Sequence, residues 1–301
     1  MKKSIQIPLI IVVLLAGFAI LFYPDISSWY NSQVHAELLF QHDEELAQLR
    51  DDYIEHHRAR AQMFNENLGG FNVRDPFVAG SGAVLPPAYY FETLNIGGIM
   101  AQLEIPAINV ALPVFHSTCN SVLNRAVGHL EGTSFPIGGI NTHAVLTAHA
   151  AWPTHRLFTD LEELAYGDMF FVRVLGETLA YEVDQILTVL PHQIEDIRIL
   201  QGRDIVTLLT CTPYRINSHR LLVRGTRIAY EPGMIYEIPS ILPEETITTD
   251  TRLMIIIGVL CFFLLFLLVS KILVYQLQRR KERNRQWAIR RERFLLEELG
   301  I

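Results

Sequence analysis

The chain has 301 residues, a formal net charge of −7 and a hydrophobic share of 50%. That length holds one large domain or two small ones, and the apolar share is high for a soluble protein. Residues 24–252 carry 28 acidic residues against 14 arginines and no lysine, a net charge of −14, which argues against nucleic acid as a partner.

The apolar excess sits in two runs. Ile5 to Tyr23 follows Lys2-Lys3, and the uncharged run Leu253 to Ser270 precedes Lys271, Arg279, Arg280, Lys281, Arg283 and Arg285. Each run is about long enough to cross a bilayer as a helix. Basic flanks stay inside, so both termini are expected in the cytoplasm and the intervening segment outside the plasma membrane. No small-residue cleavage site follows the first run closely, which favours a retained anchor over a cleaved signal.

Ser27 to Leu68 carries Val34, Leu38, Leu39, Leu46, Leu49, Tyr53 and Ile54 at roughly helical spacing, and Gly69-Gly70 ends the pattern. His42, His56 and His57 are expected on its solvated face, and His56-His57 lacks the spacing of a helical zinc pair. Phe71 to Tyr90, with Asp75-Pro76-Phe77 and a Gly-rich stretch, reads as a long loop of the kind that serves as a lid or binding loop.

Short strands follow: Ile99 to Ile105, Asn109 to His116, Ala144 to Thr147, Met169 to Val174, Thr178 to Leu190, Ile205 to Thr210 and Leu221 to Ile228. Asn120 to Gly128 and Arg156 to Leu164 read as short helices. Many short strands with few helices predict a mostly β fold, a closed barrel or sandwich.

Cys211 ends one apolar strand and Arg220 begins the next. If the two pair as antiparallel neighbours, thiol and guanidinium face each other. A nearby positive charge favours thiolate, and the same arginine suits an oxyanion. Cys119 and Cys211 are both expected outside, where a disulfide is the plain alternative. A small buried hydrophobe is the other reading of Cys211.

Thr207-Leu208-Leu209-Thr210-Cys211-Thr212-Pro213-Tyr214, followed by His219-Arg220-Leu221-Leu222-Val223-Arg224-Gly225, resembles the active-site hairpin of sortases, and more narrowly of the class C, pilin-polymerising group. Gly128 to Gly139, Leu146-Thr147-Ala148-His149 and Leu157 to Leu161 resemble the same family. The resemblance covers most of residues 95–230. It implies a closed β-barrel of about eight strands with short helices, an N-terminal helical segment and two transmembrane helices. It implies Cys211 as nucleophile, His149 as acid/base and Arg220 as oxyanion-side stabiliser. It further implies an LPxTG-like sorting signal as substrate, pilin subunits as partners, a lysine amine as acceptor, an isopeptide bond as product, and neither metal nor small cofactor.

His149 has rivals in His219, His143 and His129. The first is read as a loop residue with a structural hydrogen bond, the second as a strand-end surface residue, the third as structural. Ala148-His149-Ala150 departs from the Gly-His-Arg-like pattern common in the class. In the lid, Asp75 is able to pair with Arg220, Pro76 fixes the turn, and Phe77 is able to cover Cys211. An ordinary surface turn is the bland alternative.

The expected organisation is an anchor or signal over 1–24, a helical segment over 25–70, a lid over 71–90, a catalytic barrel over 91–235, a linker over 236–252, a transmembrane helix over 253–275 and a basic tail over 276–301. An enzyme joining acyl groups to lysine gains from having no lysine near its own site, which fits their restriction to positions 2, 3, 271 and 281. Three competing readings are attachment of surface proteins to peptidoglycan, a cysteine protease, and a non-catalytic surface scaffold.

Overall fold

The computed structural model describes residues 3–68, 73, 75–77, 86–150, 152, 154–193 and 195–231, together with 258, 271–272, 274–276, 278–287 and 289–290. Two compact units divide the chain, one of residues 19–244 and the other of residues 1–18 with 245–301. The linker over 236–252 lies outside the described residues, as does most of the second apolar run. Among the described residues, no helix is long and apolar enough to cross a membrane.

Helix α1 spans Lys3–Gln48 and α2 spans Asp51–Glu66. The sequence pattern predicts one helix over the second half of this stretch, but Arg50 takes an extended conformation (φ −77°, ψ 146°) and breaks it. Asp51 and Asp52 then occupy the first turn of α2, where carboxylates favour the helix start. A short α3 follows at Ala88–Glu92.

Eight strands come next: β1 Ala101–Ile105, β2 Val110–His116, β3 Val127–His129, β4 Thr142–Thr147, β5 Met169–Val174, β6 Glu177–Val189, β7 Asp204–Thr212 and β8 His219–Ile228. They close into a barrel in the order β1-β2-β3-β4-β7-β8-β6-β5. The β2–β3 and β4–β7 pairs are parallel and the others antiparallel.

Two expected helices are corrected. Helix α4 covers Asn120–Leu123 alone, and Val127–His129 becomes a strand because it is sandwiched between β2 and β4. Within Arg156 to Leu164 the helical part is a single 3-10 turn at Leu161–Glu163.

The strands alternate between two apolar layers. Ala144, Leu146, Val206, Leu208, Leu221 and Val223 point into the barrel with Phe170, Tyr181 and Phe135. Val145, Leu209 and Leu222 point the other way, into an outer cluster with Leu130, Ile197, Val73 and Phe77. A side-chain period of two accounts for the split. Gly225 on β8 allows the closest inner packing, since a Cβ there would lie 2.5 Å from the Phe170 ring.

Histidines fasten the helices to the barrel. His35 Nε2 lies 2.7 Å from the Arg125 carbonyl, and His42 Nδ1 lies 3.1 Å from that of Ile96. The Leu94 amide donates to His57 Nδ1 at 3.0 Å. His42 and His57 are therefore buried, not on a solvated face as their helical pattern suggests.

Candidate active site

The site is built on the outer face of β7 and β8. Cys211 and Arg220 are paired directly across the two strands, so their side chains share that face. Strands β4 and β7 are in parallel register at Thr147 and Leu209. Two residues further along each lie His149 and Cys211, which brings the imidazole to the same end of the sheet. The Thr210 hydroxyl donates to the Ala148 carbonyl at 2.7 Å, and the Phe158 amide to that of His149 at 3.1 Å, fixing the backbone around the histidine.

The loop ahead of the barrel closes over these residues. Arg220 Nε donates to Asp75 Oδ2 at 2.8 Å, and both side chains are buried. Asp75 also accepts the Phe77 amide at 2.8 Å, which forms the turn around Pro76. The Phe77 ring centroid lies 5.3 Å from the Arg220 guanidinium carbon and 5.2 Å from the His149 ring. Between loop and sheet remains a cavity of about 20 Å³, lined in part by Asp75, Pro76, Leu209 and Arg220, which is room for about one water. With the loop in place the cavity is too small for a peptide.

Cys211 is 5% exposed. Its thiol is pushed up to about 11, chiefly by burial; Arg220 pulls it down and Asp75 pushes it further up. Arg220 thus favours thiolate as expected, but with the loop closed desolvation outweighs the guanidinium, and Asp75 opposes it. Burial also lowers the pKa of His149 below its ordinary value.

The structure brings together Cys211, His149, Arg220, Asp75, Pro76 and Phe77. The rival histidines have hydrogen-bond partners of their own. His129 is fully buried between Tyr90 and Ser134, 2.9 Å and 2.8 Å away. His143 is not a surface residue: it is fully buried, with Nε2 2.7 Å from Thr207 Oγ1 and Nδ1 2.8 Å from the Arg198 carbonyl. His219 pairs with Ser218, 2.8 Å away. Cys119 and Cys211 are both free, so the expected alternative of a disulfide falls.

Sequence reasoning missed Trp152, which stacks on His149 with ring centroids 4.8 Å apart and planes 12° from parallel. An aromatic three residues beyond the histidine was the available signal. It also missed Glu162, which accepts the hydroxyl of Thr212 next to Cys211.

The family model of the sortase domain matches residues 103–228. Sortase C1 of Streptococcus agalactiae is 43% identical, covering 63% of this chain and 93% of that one, with a TM-score of 0.58. Sortase C-1 of Streptococcus pneumoniae is 45% identical, covering 65% and 100%, with a TM-score of 0.61. The chain belongs to the sortase family. Sortase C-1 of Actinomyces oris is 44% identical over 99% of its chain, with a TM-score of 0.55. The curated sortase A of S. agalactiae is 29% identical over 120 residues, and that of Bacillus anthracis 26% identical over 127. The matches span 47% and 59% of those two relatives and 39% and 42% of this sortase. Members of the family are cysteine transpeptidases, and the structural neighbours of this one are class C sortases.

Proposed function

We propose that this sortase is a membrane-anchored transpeptidase that polymerises pilins, held closed at rest by its Asp75-Pro76-Phe77 lid. The observation that carries the reading is the pairing of Cys211 with Arg220 beside His149, beneath a carboxylate and an aromatic ring of one loop. One structural neighbour, sortase C of S. pneumoniae, is described by its pilin substrate specificity.

With the lid withdrawn, the Cys211 thiolate attacks the carbonyl carbon of an LPxTG-like sorting signal, and Arg220 holds the oxyanion. The peptide C–N bond breaks as His149 gives a proton to the leaving amine. A lysine amine of the next pilin then attacks the thioester and passes a proton back to His149. An isopeptide bond forms and the Cys211 thiolate is released. The apolar runs 5–23 and 253–270 anchor the chain in the plasma membrane with both termini cytoplasmic and the barrel outside.

The test incubates the full chain in detergent with an LPxTG-type peptide and a lysine-bearing acceptor peptide. The expected result is a Cys211 acyl adduct by intact mass, absent in Cys211→Ala, that is resolved onto the lysine side chain. In a parallel reaction offering a peptidoglycan stem-peptide amine, resolution onto that amine but not onto the lysine would move the reading to cell-wall attachment, and resolution by water alone would move it to a protease. No adduct from folded protein, either with the lid intact or with Asp75 and Phe77 both replaced by alanine, would overturn it.

A further inference from the structure

Among the described residues, one buried side-chain polar atom has no hydrogen-bond partner: the hydroxyl of Thr147. The residue is fully buried. A hydroxyl in such a place costs stability that an isosteric valine would not. A β-branched residue suits the strand equally well without the oxygen, so the hydroxyl calls for another account.

Its position supplies one. Thr147 lies two residues before His149, and the alternation of β4 puts it on the outer face with Val145, opposite the inward Leu146 and Ala148. On one flank its register partner is Gly128, where a Cβ would lie 2.4 Å from the Ser117 carbonyl oxygen, so backbone walls that side. On the other flank its partner is Leu209, which lines the cavity with Asp75, Pro76 and Arg220. Val73 and Phe77 of the lid pack in the same cluster as Val145 and Leu209. Thr147 thus stands one pleat below the Cys211–Arg220 row, beside the floor that the lid covers.

We propose that Thr147 is a substrate-positioning residue, whose hydroxyl pairs with a main-chain polar group of the extended acyl-donor peptide once the lid withdraws. The inference rests on the proposed function and adds a residue to it. An extended peptide entering this face brings unpaired amide groups. Its backbone at the pleat below Cys211 meets an apolar floor of Leu209 and Val145, interrupted by this one hydroxyl. The bond holds the scissile carbonyl in line with the thiol, and is absent in the closed enzyme.

The experiment compares Thr147→Val and Thr147→Ser in the full chain, in detergent. Thermal stability, labelling of Cys211 by a small thiol reagent, and acylation by an LPxTG-type peptide are measured. Thr147→Val is expected to melt at or above the wild-type temperature, to label at the wild-type rate, and to acylate about three- to tenfold more slowly, the value of one hydrogen bond. Thr147→Ser is expected to melt lower, because it loses the methyl group, yet to acylate within about twofold of wild type. Function then follows the hydroxyl while stability follows the methyl. Wild-type acylation in Thr147→Val, or equal slowing in both variants, would overturn the inference and leave the proposed function standing. Failure to acylate both in the wild type and in a lid-weakened chain with Asp75 and Phe77 replaced by alanine would overturn both.

Discussion

Replacing Asp75 or Phe77 by alanine is expected to speed the reaction of Cys211 with an uncharged alkylating reagent about tenfold or more. The closed thiol sits at about 11 against an ordinary 9.0. At about pH 7.5 that leaves about 0.03% as thiolate, compared with about 3% at the ordinary value, a ratio of about 100. A less basic thiolate is a weaker nucleophile, with a Brønsted coefficient of about 0.4–0.5, which returns roughly a factor of ten. The net gain is about tenfold, before any gain from access. Asp75→Ala removes the carboxylate that opposes Arg220 and leaves a buried guanidinium unpaired, which favours the open loop. Phe77→Ala removes the ring that spans Arg220 and His149. The assay follows Cys211 by peptide mass in a Cys119→Ser background, since Cys119 is exposed and free. Labelling rates unchanged in both variants, with folded protein in each, would refute the lid.

Other outcomes are open to measurement. Trp152→Leu removes the aromatic stack on His149, worth about 0.5–1.5 kcal/mol, so acylation is expected to slow about two- to tenfold with a displaced pH profile; an identical profile would assign the stack no role in positioning the imidazole. Gly225→Ala drives a methyl into the Phe170 ring and is expected to cost about 1–3 kcal/mol by urea denaturation, whereas an unchanged midpoint would show that the ring yields freely. His35, His129 and His143 are buried and lowered to about 4. The unfolded chain binds their protons near pH 6.5 and the folded chain does not, so their stability is complete above 6.5 and is lost as pH falls toward 4. At about pH 5 the loss is on the order of 2 kcal/mol per histidine, and a urea midpoint that stays flat between pH 7 and pH 5 would contradict it.

Much of the barrel was legible because its strands are short apolar runs between turn residues. Met169–Val174 is observed at its predicted ends, and β7 and β8 extend the predicted runs by one or two residues. Errors arose where local pattern and tertiary pairing disagree. Val127-Gly128-His129 is too short to announce a strand and becomes one only between β2 and β4. His42, His57 and His143 carry no local sign of burial; their partners lie 54, 37 and 55–64 residues away.

The sequence by itself placed Cys211 at the end of one apolar run and Arg220 at the start of the next, so that an antiparallel pairing would set them face to face; that pairing is observed, with each strand running slightly past these residues. It supplied Asp75-Pro76-Phe77 as a turn with a carboxylate able to pair with Arg220 and a ring able to cover Cys211, but left an ordinary surface turn as the alternative. Tertiary structure decided between these by docking Asp75 on Arg220 across 145 positions of chain, and it alone laid Trp152 flat against His149 and buried the Cys211 thiol, which raises its pKa. Each of these is set by burial and by partners remote in sequence, and the free energy of a charge depends on what surrounds it in space.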